Sequence, residues 1–201
     1  MEKLVATIAC LVALHAGAQT TPPSAPPLRL RATLESVDAT SMTVRERSGE
    51  VVRLALDDKL VVSEVLPIEL SALKPGAFIG TGAVPRPDGT LEALEVHVFP
   101  ESARGTGEGH RAWDMQPGST MTNATVADLA AAPDGRRLTL TFKDGTKTVV
   151  VPEGTPVVTF RPADRSLLVP GARLVVTAEL RDGRPTALRV LAGRNGYAPP
   201  L

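Results

Sequence analysis

Apolar and polar side chains alternate along most of the chain, a pattern typical of β-strands that bury one face. Leu30, Ala32 and Leu34 alternate with polar neighbours, and Met42 and Val44 do the same. Further strands are predicted at 51–56, 78–84, 94–98, 121–129, 137–142, 146–151, 172–180 and 185–191. The inward side chains of two of these are expected to be Leu94, Val96 and Val98, and Leu174, Val176, Ala178 and Leu180. The chain is therefore predicted to be all-β.

Glycine-containing pairs separate several of these segments and predict tight turns. They are Ser48-Gly49, Asp88-Gly89, Asp144-Gly145 and Asp182-Gly183. Between 63 and 75 the apolar spacing is closer to helical, and Pro67 and Pro75 limit any helix there to one or two turns. Residues 152–170 are predicted to be irregular or to hold a short helix.

The landmarks of the chain occur twice, in the same order. The segment 73–76, Leu-Lys-Pro-Gly, recurs 95 positions later as Leu-Val-Pro-Gly, and Asp88-Gly89 recurs after 94. The segment 93–96 recurs after 94, and Ala32-Thr33-Leu34 corresponds to 124–126 after 92. Three strands, a short connector and a hairpin follow the order of an OB-type barrel. The prediction is two tandem small OB-like β-barrels, each with a short helical connector; an SH3-like barrel or an open sandwich remains an alternative.

The first residues are predicted to be a cleaved secretory signal peptide, residues 1–18. An apolar run from Leu4 to Leu14 precedes a small-x-small cleavage site, and the run is too short for a membrane anchor. The alternatives are a buried N-terminal helix and a lipid anchor on Cys10. A proline-rich linker, 19–27, leads to module one at 28–100, a glycine-rich interdomain loop at 101–119, module two at 120–195 and a tail at 196–201. The expected location is the periplasm or the exterior.

The composition and the missing motifs argue against several classes of function. The chain has 22 basic and 22 acidic residues and 3% aromatic residues, so a nucleic-acid partner is not expected. No transmembrane segment is expected in the mature chain. The only cysteine of the sequence, Cys10, lies in the predicted leader, so the mature chain is expected to contain no cysteine. No serine-hydrolase elbow, phosphate loop or zinc-protease motif is present, so the protein is predicted not to be an enzyme. His97 alternates with Val96 and Val98 and is expected to point outward from its strand.

The loop 101–119 has no counterpart in the repeat and is the predicted functional segment. Glu108, His110 and Asp114 are candidate metal ligands, since imidazole and carboxylate suit Zn, Ni or Cu(II). No cofactor other than a metal ion is expected. The alternative is structural, with Trp113 packed on a barrel wall, because one-histidine clusters rarely form closed sites. The candidate interaction residues are Arg111, Trp113 and Met115.

The repeated unit, with its Leu-x-Pro-Gly and Asp-Gly landmarks, resembles a family of exported bacterial β-barrel domains of unknown function. The tract Gly105 to Asp114, followed by 117–123, is similar to a tract in proteobacterial members, some of which are labelled metal ABC transporter permease. A permease needs several membrane-spanning helices, which the mature chain does not contain. The resemblance therefore implies at most a soluble periplasmic component, and it brings no catalytic residues.

Together these features predict a non-enzymatic binding or interaction module in the bacterial periplasm, with an envelope protein or a small ligand as its unidentified partner. One alternative is a periplasmic metal-binding accessory protein, possibly associated with transport. A second is a structural protein of the envelope.

Overall fold

The computed structural model describes residues 27–200, so the predicted leader and residues 19–26 of the linker lie outside the described residues. The described part is all-β, as predicted, and its only helices are three-residue 3₁₀ turns at Leu70–Ala72, Glu101–Ala103 and Arg165–Leu167. The strands are β1 (Leu28–Val37), β2 (Ser41–Glu46), β3 (Val51–Pro67), β4 (Phe78–Pro85), β5 (Leu91–Val98), β6 (Gly109–Ala112), β7 (Thr120–Ala132), β8 (Gly135–Phe142), β9 (Gly145–Val151), β10 (Val157–Ala163), β11 (Arg173–Arg181) and β12 (Arg184–Ala192).

Five of these strands form a closed barrel, here called the first barrel. β1, β2 and β3 follow each other as an antiparallel meander. The hairpin of β11 and β12 completes it: β11 pairs with β1 antiparallel, and β12 pairs with β3 in parallel. The barrel therefore takes three strands from one end of the chain and two from the other.

The second barrel repeats this plan with the roles of the repeats reversed. β7, β8 and β9 form the meander, and the hairpin of β4 and β5 completes it. β4 pairs with β7 antiparallel, and β5 pairs with β9 in parallel through Leu91↔Val149 and Glu92↔Val150. Each barrel thus combines the three-strand meander of one repeat with the two-strand hairpin of the other.

The predicted tandem arrangement, with one barrel per repeat in 28–100 and 120–195, is therefore wrong in its connectivity. The repeated landmarks contact each other across the repeats. The Gly76 N–H donates to the Val126 carbonyl at 2.8 Å, and the Gly171 N–H donates to the Leu34 carbonyl at 2.7 Å. Each Leu-x-Pro-Gly segment therefore fastens its hairpin to the first strand of the other repeat.

The length of β3 explains how the hairpins exchange. β3 is 17 residues long. Its first residues pair with β2, and on its other side it stays paired with β12 of the first barrel as far as Glu64. Its last six residues, Val62 to Pro67, pair with β10. The segment 63–67, predicted to be part of a helical connector, is the end of this strand, and β10 lies within the predicted irregular segment 152–170.

Each barrel has its own apolar core, and the core of the first barrel is built mainly from the apolar positions of the predicted alternation. Ala32, Leu34, Met42, Val44 and Leu54 are buried in the first barrel beside the β11 side chains Leu174, Val176 and Ala178. The second core contains Ile79, Val96, Val126, Leu138 and Leu140.

Two inward predictions are wrong. Leu94 lies at a β-bulge, where the register shifts between Gly82 and Ala83, so Leu91 and Ala93 are buried in its place. Leu180 is 58% exposed because β11 runs past the core, close to its turn.

Between residues 27 and 200, no helix has the length and apolar character needed to cross a membrane.

Candidate binding cleft

On the outer face of the second barrel, two rows of paired residues cross β5, β4 and β7. In the first row His97 pairs with Gly80, and Gly80 pairs with Asn123. In the second row Glu95 pairs with Gly82, and Gly82 pairs with Met121. The central strand β4 supplies a glycine to each row, so the flanking side chains can lie over it.

The two glycines of β4 are required by this packing. A Cβ atom on Gly80 would lie 2.0 Å from His97 Nε2 and 2.6 Å from Asn123 Oδ1. A Cβ on Gly82 would lie 2.5 Å from the sulfur of Met115, which comes from the loop 101–119. Glycine within a strand often marks such a close approach.

Glu95 and His97 form a buried pair on this face. Glu95 is fully buried; its Oε1 accepts a 2.7 Å hydrogen bond from the Gly82 N–H, and its Oε2 lies 3.1 Å from His97 Nδ1. The His97 ring packs against Phe99 and Phe160, with centroid distances of 4.8 and 5.4 Å. His97 does point away from the barrel core, as predicted, but it is buried, because these rings cover it.

The equivalent face of the first barrel lies opposite. There Arg29 of β1 pairs with Thr177 of β11, Thr177 pairs with Arg189 of β12, and Arg189 pairs with Val61 of β3. By the offsets of the repeat, Arg29, Thr177 and Arg189 correspond to Met121, Gly82 and Glu95, and the register is the same.

The two faces and the loop 101–119 enclose a cleft of about 370 Å³. This volume is within the usual range for small-molecule sites, about 300–1,000 Å³. Its lining includes four arginines, Arg29, Arg111, Arg161 and Arg189, and no aspartate or glutamate from the described residues. Arg161 is paired with Glu64 at 2.8 Å, whereas the other three make no salt bridge within 27–200. The cleft is therefore cationic in a chain that is neutral overall.

Trp113 closes one side of the cleft between two of these arginines. The Arg29 guanidinium carbon lies 3.8 Å from the ring centroid, and that of Arg111 lies 5.3 Å away. Arg111 also donates to the Gly107 carbonyl at 2.8 Å. Burial lowers the pKa of Arg29 and of Arg111 from the ordinary value, because desolvation disfavours the charged form.

Two buried polar atoms of this region have no hydrogen-bond partner among the described residues: Trp113 Nε1 and Asn123 Oδ1. Asn123 uses its amide nitrogen to donate to the Thr106 carbonyl at 2.9 Å, which leaves its oxygen on the other side. Buried polar atoms in folded proteins are nearly always paired with protein, water or ligand. Both residues line the cleft.

The structure does not bring the predicted metal ligands together. Glu108 accepts from the Lys143 N–H at 3.0 Å, and His110 Nδ1 lies 2.8 Å from the Thr122 hydroxyl. Asp114 receives two hydrogen bonds from Arg31, which lower the pKa of its carboxyl group. No group of three His, Cys, Asp or Glu side chains within the described chain could hold a metal ion.

The predicted interaction residues have a clearer placement. Arg111 and Trp113 line the cleft. Met115 does not line it, and its sulfur packs against Gly82 of β4. Sequence reasoning missed Arg29, Arg189 and Asn123, as well as the Glu95–His97 pair. The available signal was the Gly-x-Gly of β4, since two glycines within one strand indicate that something lies close against it.

No protein-family model, curated protein or solved structure matches the chain.

Proposed function

We propose that the protein is an exported, non-enzymatic binding module of the bacterial periplasm and that its ligand occupies the cleft between the two barrels. The observation that carries the proposal is the cleft itself. It is large enough for a small molecule, and it contains two buried polar atoms without partners and three arginines without salt bridges among the described residues. The predicted leader supports the location.

Rigid surroundings favour binding in this cleft. His97 is fixed by Glu95 and by two aromatic rings, and Glu95 is fixed by the backbone of β4. A binding site gains affinity when its polar groups are already held in place, because less entropy is lost when the ligand binds. The side chains of the second barrel that line the cleft are therefore preorganised.

We also propose that both barrels are OB-like. In each, the strands close in the order first, second, third, fifth, fourth, and the third and fifth are parallel. Barrels of this kind commonly bind ligands on an outer face and its adjoining loops. The cleft lies between two such faces, which is consistent with this use.

A bulky residue placed in the cleft tests the proposal. Val61 lines the cleft and is 48% exposed, whereas Val51 begins the same strand, is 47% exposed and does not line it. Val61→Trp should fill the cleft, and Val51→Trp is the matched control. The assay is a ligand-observed NMR screen of a small-molecule library against the wild type and both variants, each checked for an unchanged melting temperature.

We expect a set of compounds that bind the wild type and Val51→Trp but not Val61→Trp. If every compound that binds the wild type also binds Val61→Trp equally well, the cleft is not the ligand site and the proposal fails. A screen without any bound compound contradicts it as well.

The metal-binding alternative lacks a converging ligand set among the described residues. Calorimetry with Zn²⁺ and Cu²⁺ tests it directly, because specific protein sites bind these ions far more tightly than about 100 μM. We expect no heat of binding in that range.

A further inference from the structure

We propose that the cleft takes a small organic anion with a flat apolar body, such as an aromatic carboxylate. This inference rests on the proposed binding function and names the class of its ligand. It joins three features of the cleft: its charge, its aromatic surface and its unpaired polar atoms.

The charge of the cleft favours an anion. Arg29 and Arg189 occupy one row of the first barrel, and Arg111 reaches the cleft from β6. Three acidic groups around the cleft already have partners: Asp114 with Arg31, Glu64 with Arg161 and Arg194, and Glu95 with His97 and the Gly82 N–H. Guanidinium groups bind carboxylates through paired, charge-assisted hydrogen bonds. A carboxylate between Arg111 and Arg189 would provide the counter-charge that these two side chains lack within 27–200.

The aromatic surface favours a flat apolar body. The rings of Phe99, Phe160 and His97 form a continuous cluster, with 6.1 Å between the two phenylalanine centroids. Trp113 also lines the cleft, with Arg29 over its ring. Aromatic rings prefer offset or edge-on contact with other rings, and this contributes beyond simple burial. A planar ligand between Trp113 and the phenylalanines would make such contacts on both faces.

The two unpaired atoms indicate which hydrogen-bonding groups the ligand carries. The indole N–H of Trp113 requires an acceptor, and a carboxylate oxygen is a strong one. The Asn123 side-chain oxygen requires a donor, which a hydroxyl or amino substituent on the ligand would supply. An unsubstituted hydrocarbon would leave both atoms unpaired, at a cost in affinity.

Three probes that share a naphthalene body and differ in charge test the ligand class: 2-naphthoate, 2-naphthamide and 2-naphthylmethylammonium. Their affinities are measured by fluorescence titration of Trp113, the only tryptophan of the chain, and repeated by ligand-observed NMR. We expect the anion to bind about tenfold more tightly than the amide, since loss of a charge-assisted hydrogen bond has about this effect. We expect the ammonium ion not to bind, and added NaCl to weaken the anion only.

The arginines are tested with Arg189→Gln and Arg111→Gln, and Arg184→Gln is the control. Arg184 lies on β12 with Arg189, is exposed and does not line the cleft. Each cleft variant should reduce the affinity for 2-naphthoate about tenfold and leave 2-naphthamide unchanged. The Arg184 variant should behave as the wild type.

Equal affinity for the anion and the amide, or a preference for the ammonium ion, would overturn the anion assignment. The proposed binding function would still stand in that case if the probes that bind the wild type no longer bound Val61→Trp. Failure of 2-naphthoate to bind the wild type at millimolar concentration overturns the assignment also.

Discussion

The exchange of hairpins predicts that neither repeat folds on its own and that the two halves fold together when mixed. A cut between residues 104 and 105 separates β1–β5 from β6–β12 within the surface segment after β5. Each half then holds the three-strand meander of one barrel and the two-strand hairpin of the other. In the tandem arrangement, by contrast, each half would contain a complete barrel.

The size of the effect follows from the core of the first barrel. The half that ends at residue 104 keeps β1, β2 and β3 but loses five large core side chains. These are Leu167, Leu168, Leu174, Val176 and Val190. Burying one such side chain stabilises a protein by about 1.5–3 kcal/mol, so their loss removes about 10 kcal/mol. This loss is comparable to the whole net stability of a typical domain, about 5–15 kcal/mol, so the half is expected to be unfolded.

The assay is far-UV circular dichroism and sedimentation of each half alone and of the equimolar mixture. We expect disordered spectra for the separate halves, or self-associated species that exchange the hairpin between copies, and a folded one-to-one complex for the mixture. Val176→Asp in the second half should prevent the complex, whereas Leu180→Asp on the same strand should not, because Leu180 is exposed. A first half that is monomeric and unfolds cooperatively in denaturant would refute the exchange.

Three further predictions concern single residues. Gly80→Ala should lower the free energy of unfolding by about 1–3 kcal/mol, because the added methyl group would overpack against His97. In denaturant titrations the loss should be smaller when His97→Ala is also present. If the effects of the two substitutions are simply additive, the contact between Gly80 and His97 is contradicted. Leu91→Ala should cost about 2–5 kcal/mol and Leu94→Ala less than half of that, a difference that thermal melts would measure. Hydrogen bonds from Thr40 and Ser41 lower the pKa of Asp38 to about 2. Because this folded-state pKa is depressed, the stabilisation is present above the unfolded-state pKa and is lost as the pH falls towards 2. The difference in unfolding free energy between wild type and Asp38→Asn should therefore be constant near neutral pH and shrink in acid; a difference that grows in acid would contradict the assignment.

The strands could be predicted because the alternation of side chains is a local property. Ala32, Leu34, Met42 and Val44 are buried, as expected, and the Asp-Gly pairs turn between β4 and β5 and between β11 and β12. The alternation fails where the backbone departs from regular pairing. At Leu94 an extra residue in the bulge reverses the face of the residues around it.

The connectivity could not be predicted from the repeat. Two copies of one unit offer each hairpin two similar docking sites, one on its own meander and one on the other, and the local sequence fits both. Exchange of identical elements between copies is a low-cost rearrangement for this reason. We infer that β3 decides between them, because it continues without interruption from Val51 to Pro67 and joins β2 and β12 of the first barrel to β10.

The candidate site could be predicted only in the loop 101–119, which has no counterpart in the other repeat. Trp113 and Arg111 stood out because the loop 101–119 has no counterpart. His97 did not, because the outward face of a strand is usually solvated, and only the second layer of rings makes it buried. Arg29 and Arg189 look like ordinary surface residues until pairing through Thr177 places them in one row.

The asymmetry of the cleft comes from the divergence of the two copies. The fold places equivalent faces of the two barrels opposite each other, so identical repeats would present the same side chains from both sides. Like charges would then face one another, and bulky residues would meet at the position of the cleft. The chain instead has Arg29 and Arg189 on one face and Met121 and Glu95 at the equivalent positions of the other. The glycines of β4 provide the space. Any function of the cleft therefore depends on the positions where the two copies have diverged, and substitutions there should affect binding more than substitutions at the shared landmarks, which should mainly affect stability.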